Sequence, residues 1–352
     1  MLHLKTVIFS FLLACILLYV SMMVTYHSTD DKGKIGRVQH THKSHQSSAR
    51  QLRVLTGTAK KRGPMAIGGS TASFIMWQAR QISDHFGIVF WTLINAAYLE
   101  LTLNWLCHTS TMSAIHDRVF IITTDEETAA QVRAQWPLIS VLSLKSSAFN
   151  SSLTWGQQDY IDFLVYRASI IRLFVVNDVR FVLFETDSIW LKNPYEYFEN
   201  YSRTADIVLP LKYEADSRGR DFTFDPMIVT PNERSKKFFA QLYARLIDLK
   251  YHVNGTLYDQ DVLDDLCRSR YARVECRTFP WSEVADGHWF KLSESKRLGL
   301  PTYIVNNNFY SGVENKMTRL ALNDFWYLTL DHRCDNGTMG KLEKWKVKKV
   351  DS

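Results

Sequence analysis

The sequence predicts an α/β fold built on a mostly parallel sheet with helices on its faces. Strand-like apolar runs alternate with helix-like runs along most of the chain, which is the pattern of strands joined by crossover helices. The chain has 352 residues, of which 46% are hydrophobic, and this is enough for a sizeable core. Two acids, Glu185 and Asp187, directly follow one apolar run, and open α/β sheets hold ligands in the crevice at the carboxyl ends of such strands.

The elements before these acids alternate regularly. Thr124 or Asp125 is expected to cap the helix that follows the second strand. The longest helix has apolar residues at helical spacing and leads directly into the strand before Glu185. In chain order we predict a strand at 87–93, a helix at 96–107, a strand at 118–124, a helix at 125–136, a strand at 138–144, a helix at 158–177 and a strand at 180–184.

The elements after the acids are expected to complete the same sheet. Ordered structure is expected to begin near residues 74–82. We predict strands at 205–211 and 224–230, an amphipathic helix at 233–249, a short helix at 259–267, and final strands at 272–279 and 302–305.

The N-terminus reads as a membrane anchor. Residues 7–24 carry no charge and are long enough to cross a bilayer as a helix. A cleaved signal peptide is the alternative, but its apolar region is normally shorter and ends at a small-residue cleavage site. We expect a cytoplasmic tail at 1–6, a signal anchor at 7–25 and, from its polar composition, a flexible stem at 26–80.

Charge, cysteines and sequons bear on the compartment. The net charge of +6 is concentrated near 32–62 and 341–349, and residues 346–352 form a basic tail; without a basic helix or a nucleic-acid motif, no nucleic-acid partner is predicted. Acceptor patterns for N-glycosylation favour a luminal body and occur at Asn150, Asn200, Asn254 and Asn336. Four cysteines outside the anchor allow three pairings into two disulfides, or free thiols; Cys267 and Cys276 are the first candidates for a bridge.

Glu185 and Asp187 have a plain reading and a chemical one. An isolated Glu-x-Asp is usually a strand end with two solvated acids. Carboxylate oxygens also suit Mn²⁺ or Mg²⁺, which in turn binds the phosphates of a nucleotide. The acids therefore predict a cation site only if other segments support it.

Four segments of the chain, taken in order, provide that support: INAAYLELTLNWLC at 94–107, FETDSIWLKNPYEYF at 184–198, YDQDVL at 258–263 and VNNNFYSGVENKMTRL at 305–320. Over residues 84–332 the chain resembles the nucleotide-diphospho-sugar transferase family that includes the plant rhamnogalacturonan xylosyltransferases. The resemblance implies a GT-A domain at 81–345 with a single mixed, mostly parallel sheet. It also implies a glycosyltransferase that uses a nucleotide sugar and Mn²⁺ or Mg²⁺.

The central family motif reads D-x-D-x-x-W-L-x-x-P. Here Glu185 replaces the first Asp, and the other places are filled by Asp187, Trp190, Leu191 and Pro194.

The C-terminal motif reads V-H-x-N, then G, then K. Asn306 replaces the metal-binding His, and Val305, Asn308, Gly312 and Lys316 fill the other places. The resemblance thus implies Glu185, Asp187 and Asn306 as metal ligands, although an amide binds Mn²⁺ more weakly than imidazole. Gly312 would let the backbone approach the diphosphate, and Lys316 would offset its charge.

The remaining candidates would hold the donor. The resemblance implies that Arg167 contacts the phosphate or sugar, and that Asp259 and Gln260 face the sugar; the plain readings are a solvated helix charge and a helix N-cap. Asp225 takes the place of a family Asn and Met227 that of a Gly, so the sugar pocket is expected to differ. The catalytic candidates are Asp225, Asp259 and Gln260.

Thr92 and Asn95 stand where such folds receive the nucleoside, unless they cap the next helix. Four tryptophans are candidates for stacking on sugars, against a plain reading as core or loop residues: Trp91, Trp155, Trp281 and Trp289.

Together these features predict a Golgi type II glycosyltransferase with a UDP-sugar donor and a glycan or glycoprotein acceptor. The resemblance implies retention of anomeric configuration. A catalytically inactive relative that binds a glycan or partner is one alternative. A membrane-tethered lectin-like protein is the other.

Overall fold

The computed structural model describes residues 67–144, 149, 153, 157–213, 221–252, 258–335 and 337. The expected anchor at 7–25, both tails, most of the stem, Trp155 and the sequons at Asn150, Asn254 and Asn336 lie outside these residues. In the described ranges, no helix combines the length and the apolar character that a membrane crossing needs.

Most helices and strands lie close to their predicted positions. The helices are α1 Gly69–Phe86, α2 Leu99–Thr109, α3 Glu126–Gln135, α4 Gln158–Val176, α5 Tyr195–Ser202, α6 Glu233–His252, α7 Asp259–Arg268, α8 Glu294–Leu298 and α9 Val313–Leu322. The strands are β1 Val89–Ile94, β2 Val119–Thr123, β3 Ser140–Ser143, β4 Phe181–Leu183, β5 Ile189–Trp190, β6 Ile207–Pro210, β7 Met227–Val229, β8 Cys276–Phe279, β9 Val284–Ala285 and β10 Ile304–Val305.

The main sheet has seven strands in the order β3-β2-β1-β4-β7-β6-β8. All of its pairs are parallel except those that β7 makes with β4 and β6, so the predicted mixed, mostly parallel sheet is confirmed. The strand order reverses between β1 and β4, because β2 and β3 lie on one side of β1 and β4 lies on the other. A crevice therefore opens at the carboxyl ends of β1 and β4, where ligands bind in such sheets.

A second sheet of three strands, in the order β5-β10-β9, corrects the prediction of a single sheet. Residues 302–305 were expected to complete the main sheet, but β10 pairs with β5 and β9 instead. The apolar pattern indicates a strand at 302–305, but it does not show which strand this one pairs with. The antiparallel register sets Val305 opposite Ile189, which brings the residues after β10 next to Asp187.

Helices cover both faces of the main sheet. One face packs against α1, α4, α6 and α7, and the other against α2, α3 and α5. Helix α1 begins at Gly69, ahead of the expected domain start at residue 81, and buries Ile75 and Ala79 completely. Asp125, one of the two predicted caps, caps α3, because its side chain accepts a hydrogen bond from the backbone N–H of Thr128.

The structure contains two disulfides, Cys107–Cys334 and Cys267–Cys276. The second bridge is the predicted one, and it ties the end of α7 to the start of β8 across a sequence separation of 9.

Replacing both cysteines of the Cys267–Cys276 bridge by alanine is expected to lower the free energy of unfolding by about 2–3 kcal/mol, because a cross-link over a short loop restricts the unfolded chain. Urea unfolding of the oxidised protein checks this value, and an unchanged midpoint would contradict it.

Candidate active site

The two acids of the central motif lie directly after β4, in the crevice. A turn places them, since the backbone N–H and the hydroxyl of Ser188 both donate to the carbonyl of Glu185. Asp187 is completely buried, whereas the side chain of Glu185 keeps 33% of its exposure. The acids therefore meet different surroundings, and only Glu185 has contact with solvent.

Asp187 forms an ion pair with the lysine of the C-terminal motif. Its Oδ2 lies 2.5 Å from Lys316 Nζ, and the same ammonium donates to the hydroxyl of Tyr98 at 3.1 Å. Burial alone would lower the pKa of Lys316, but Asp187, Tyr98 and Glu185 together outweigh it and hold that pKa well above its ordinary value. Burial also raises the pKa of Tyr98 to about 12. At neutral pH Lys316 is therefore a charged ammonium and Tyr98 is a neutral phenol.

Arg167 joins Glu185 to the start of α7. Its Nη1 donates to Glu185 Oε1 at 2.8 Å, and its Nη2 lies 2.5 Å from Asp259 Oδ2. The side chains of Arg167 and Asp259 are both buried, so the solvated-charge reading of Arg167 is wrong. Burial would raise the pKa of Glu185, but Arg167 and then Lys316 outweigh it and lower that pKa.

Asp225 and Asn306 form a buried pair. The Asn306 amide donates to Asp225 Oδ1 at 2.7 Å and to its carbonyl at 3.0 Å. Burial, and then the charges of Glu185 and Asp187, raise the pKa of Asp225 well above its ordinary value. Two of the four positions at which the chain departs from the family pattern are therefore in direct contact.

The start of α9 positions Lys316. Gly312 caps this helix at a φ of 89°, in the left-handed region that favours glycine. The Asn307 amide donates to the carbonyl of Lys316, and Arg319 holds Asn307 from the next turn.

The other predicted residues lie at the same edge of the sheet. Thr92 is within β1, whose Trp91 pairs with Leu183, and Asn95 follows β1 directly. Gln260 donates its backbone N–H to Asp259 Oδ1.

Of the three candidate tryptophans that the structure describes, two follow their plain reading as core residues. Trp91 and Trp289 are buried, and Trp281 donates to Asp286.

Sequence reasoning missed three members of this cluster: Tyr98, Tyr160 and Arg319. Tyr98 and Tyr160 carry hydroxyls whose pKa values burial raises beside the acids, and Arg319 feels the charge of Asp187. All of them lie in helices or helical turns, where their spacing is that of ordinary packing residues. Tyr98 and Arg319 lie inside two of the four segments that carry the family resemblance, 94–107 and 305–320, and this position was the only sequence signal that they belong to the site.

A cavity of about 740 Å³ adjoins the cluster, with Ala96, Ala97, Gly312 and Val313 in its wall. The turn after β1, α2 and the start of α9 form this wall, rather than Glu185 or Asp187. The cavity therefore lies beside the charged cluster, next to Asn95.

Three buried oxygens decide whether a cation fits. Asp187 Oδ1, Asp225 Oδ2 and Asn306 Oδ1 have no hydrogen-bond partner among the described residues. Buried polar atoms normally have partners, and hard oxygens of this kind suit Mn²⁺ or Mg²⁺. No group of three or more His, Cys, Asp or Glu side chains in the described ranges is placed to hold a metal, so a cation here would need the Asn306 amide. With the Asn306 amide included, these three oxygens fit a divalent cation.

Three solved glycosyltransferase structures show weak similarity to the chain. GlyE of Streptococcus pneumoniae TIGR4 has 13% identity and a TM-score of 0.43, over 73% of this chain and 63% of GlyE. Mouse xyloside xylosyltransferase 1 has 13% identity and a TM-score of 0.43, over 63% and 98%. An active-site mutant of LgtC has 7% identity and a TM-score of 0.45, over 66% and 95%.

No curated protein matches the chain. Residues 114–320, more than half of the chain, match the family model described as nucleotide-diphospho-sugar transferase. The chain therefore belongs to the nucleotide-diphospho-sugar transferase family and is a glycosyltransferase.

Proposed function

We propose that this enzyme transfers a sugar from a UDP-sugar to a glycan or glycoprotein acceptor, with the help of a divalent cation and with retention of anomeric configuration. The observation that carries the proposal is the buried cluster at the carboxyl end of β4. There Lys316 supplies positive charge beside Asp187, and unpartnered oxygens lie close by.

One group of residues would act on the leaving diphosphate, and another would act on the sugar. Asp187 and Asn306 would hold the cation, with Glu185 beside them, and the cation would act as a Lewis acid that offsets the charge developing on the leaving diphosphate. Lys316 and the Tyr98 hydroxyl would stabilise the same charge. Thr92, Asn95 and Gly312 border the space for the nucleotide, next to the cavity.

Arg167, Asp259 and Gln260 would bind and orient the sugar. Arg167 engages Asp259 Oδ2 and the Gln260 N–H engages Oδ1, so hydrogen bonds hold both oxygens of this carboxylate. A carboxylate bound in this way is a poor nucleophile. The acceptor hydroxyl would attack the anomeric carbon on the face from which the diphosphate leaves, as the bond from this carbon to the diphosphate oxygen breaks and the departing diphosphate takes up the hydroxyl proton. This mechanism retains configuration.

An aromatic surface beside the site supports a carbohydrate acceptor. The buried Asp286 accepts from the backbone N–H of Tyr213 and from the Trp281 indole, and it thereby fixes rings 4.7 Å apart. His288 and Phe309 form a second ring pair at 4.7 Å. Tyr213 and Phe309 are 51% and 54% exposed, and exposed apolar surface of this kind marks binding sites.

A donor screen tests the proposed reaction. The protein would be incubated with UDP- and GDP-sugars, with and without Mn²⁺, and released nucleoside diphosphate would be measured. We expect release from a UDP-sugar that depends on Mn²⁺ and increases when glycans are added. If no sugar nucleotide is consumed and calorimetry detects no UDP binding, the proposal fails and the non-catalytic alternative stands.

Replacing Tyr98 by phenylalanine is expected to lower kcat for the donor by about 10- to 100-fold and to leave KM nearly unchanged. Lys316 donates to the phenolic oxygen, so the phenolic hydrogen remains available to the leaving diphosphate. Steady-state release of UDP measures both constants. Tyr166→Phe is the matched control, because Tyr166 is buried in the core against Phe149. Equal kcat values for the two variants would rule out this role.

We further propose that the enzyme is a type II protein of the Golgi membrane with a luminal catalytic domain. The uncharged run at 7–24 and the four sequons support this location. Asn200, the one sequon asparagine in the described part, is exposed on α5. Loss of apparent mass on treatment with a glycosidase, for the chain expressed in animal cells, tests the luminal placement.

A further inference from the structure

Asp225 is placed differently from the other acids of the cluster. Arg167 forms ion pairs with Glu185 and Asp259, and Lys316 forms one with Asp187. Within the described residues no ion pair involves Asp225, and its Oδ1 accepts only the neutral amide of Asn306. Burying an ionised carboxylate without a nearby cation raises the free energy of the folded protein, and a bound positive charge would offset this.

The hydrogen bond between Asn306 and Asp225 fixes the direction of both groups. The Asn306 nitrogen donates to Asp225, which leaves the Asn306 carbonyl oxygen buried and with no partner in the described part of the chain. The second oxygen of Asp225 is likewise buried and unpartnered. Asp187 Oδ1 completes this set of three. Asp187, Asp225 and Asn306 are all at least nine-tenths buried.

We propose that Asp225 is itself a ligand of the divalent cation, together with Asp187 and Asn306. This inference rests on the proposed function, because it concerns the same cation. The amide of Asn306 is neutral and brings no negative charge to the cation. The carboxylate of Asp225, which this amide contacts, supplies a negative charge. Two carboxylates and one amide form an all-oxygen set that suits a hard divalent ion. Asp225 thereby becomes a metal ligand rather than a residue that only orients the sugar.

Binding of Mn²⁺ in the presence of UDP, followed by electron paramagnetic resonance of the free ion, tests this assignment directly and requires no turnover. Asp225→Asn keeps the shape of the side chain and removes its charge. We expect this variant to bind Mn²⁺ at least about tenfold more weakly than the natural protein. Asp259→Asn is the matched control: it neutralises another buried Asp of the site, but one whose oxygens are already held. We expect its Mn²⁺ affinity to stay within about threefold of the natural value.

The outcomes separate this inference from the proposed function. Natural affinity for Mn²⁺ in Asp225→Asn, with a normal thermal melting curve, would overturn the assignment and leave the metal-assisted transfer intact. If the natural protein itself bound UDP but not Mn²⁺, both the inference and the role of the cation would be wrong. A weakened Asp225→Asn beside an unchanged Asp259→Asn would establish Asp225 as a ligand.

Discussion

Replacing Asp187 by alanine is expected to lower the rate of donor consumption by about a thousandfold or more. Its two oxygens have separate roles: Oδ2 accepts from Lys316, and Oδ1 is buried with no partner among the described residues, where the cation is proposed to bind. The substitution removes a charged ligand and also frees the lysine that faces the leaving diphosphate. Both losses act on the charge that develops as the bond to the sugar breaks, so the effect should fall on kcat. Release of UDP from the donor identified in the screen measures it.

Asp178→Asn is the matched control for this variant. Asp178 is 69% exposed, and its carboxylate pairs with Lys236 on the surface. Asparagine tolerates its positive φ of 59°, so the fold should be undisturbed. We expect turnover equal to that of the natural protein. If the Asp187→Ala protein, shown to be folded by its thermal melting curve, retained a tenth of the natural rate, the proposed role of Asp187 would be wrong.

The parts of the fold that were predictable are those with a long periodic signal. The helix expected at 158–177 is α4, Gln158–Val176, and the strand expected at 118–124 is β2, Val119–Thr123. A 19-residue helix and a five-residue strand each repeat their apolar pattern often enough to be recognised. The same reasoning missed β5, and it located β10 within the strand expected at 302–305 but assigned it to the wrong sheet, because tertiary contacts set the pairing of such short strands.

The site was predictable as a set of positions but not as a network of contacts. Asp187 and Asn306 were expected together, because sequence motifs carried them. Asp225 and Asn306 are 81 residues apart, and nothing in their spacing indicates that an amide of one would bind the carboxylate of the other. Tyr98 was equally hidden, since an aromatic residue just before a helix is usually a packing residue.

Replacing Arg167 by methionine is expected to lower the free energy of unfolding at neutral pH by about 3–5 kcal/mol and to impair activity. Arg167 is buried between Glu185 and Asp259, and its guanidinium lies over the ring of Phe224 at 4.4 Å. Methionine preserves the packing of the stem but removes the cation that pairs with both acids. Urea unfolding measures the loss, and Arg133→Met is the control. Arg133 and its partner Glu126 are largely exposed, so this loss should stay below about 1 kcal/mol.

The stability lost in Arg167→Met should also depend on pH in a defined direction. Arg167 lowers the pKa of Glu185 in the folded protein, so ionised Glu185 contributes stability above its unfolded pKa of about 4.3. This contribution disappears as the pH falls through the lower, folded pKa. The difference in unfolding free energy between the natural protein and Arg167→Met should therefore be full at pH 7 and should shrink below about pH 4. A difference that stayed constant between pH 7 and pH 3 would mean that Arg167 stabilises the domain by packing on Phe224, and that its charge does not hold the acids of the site in place.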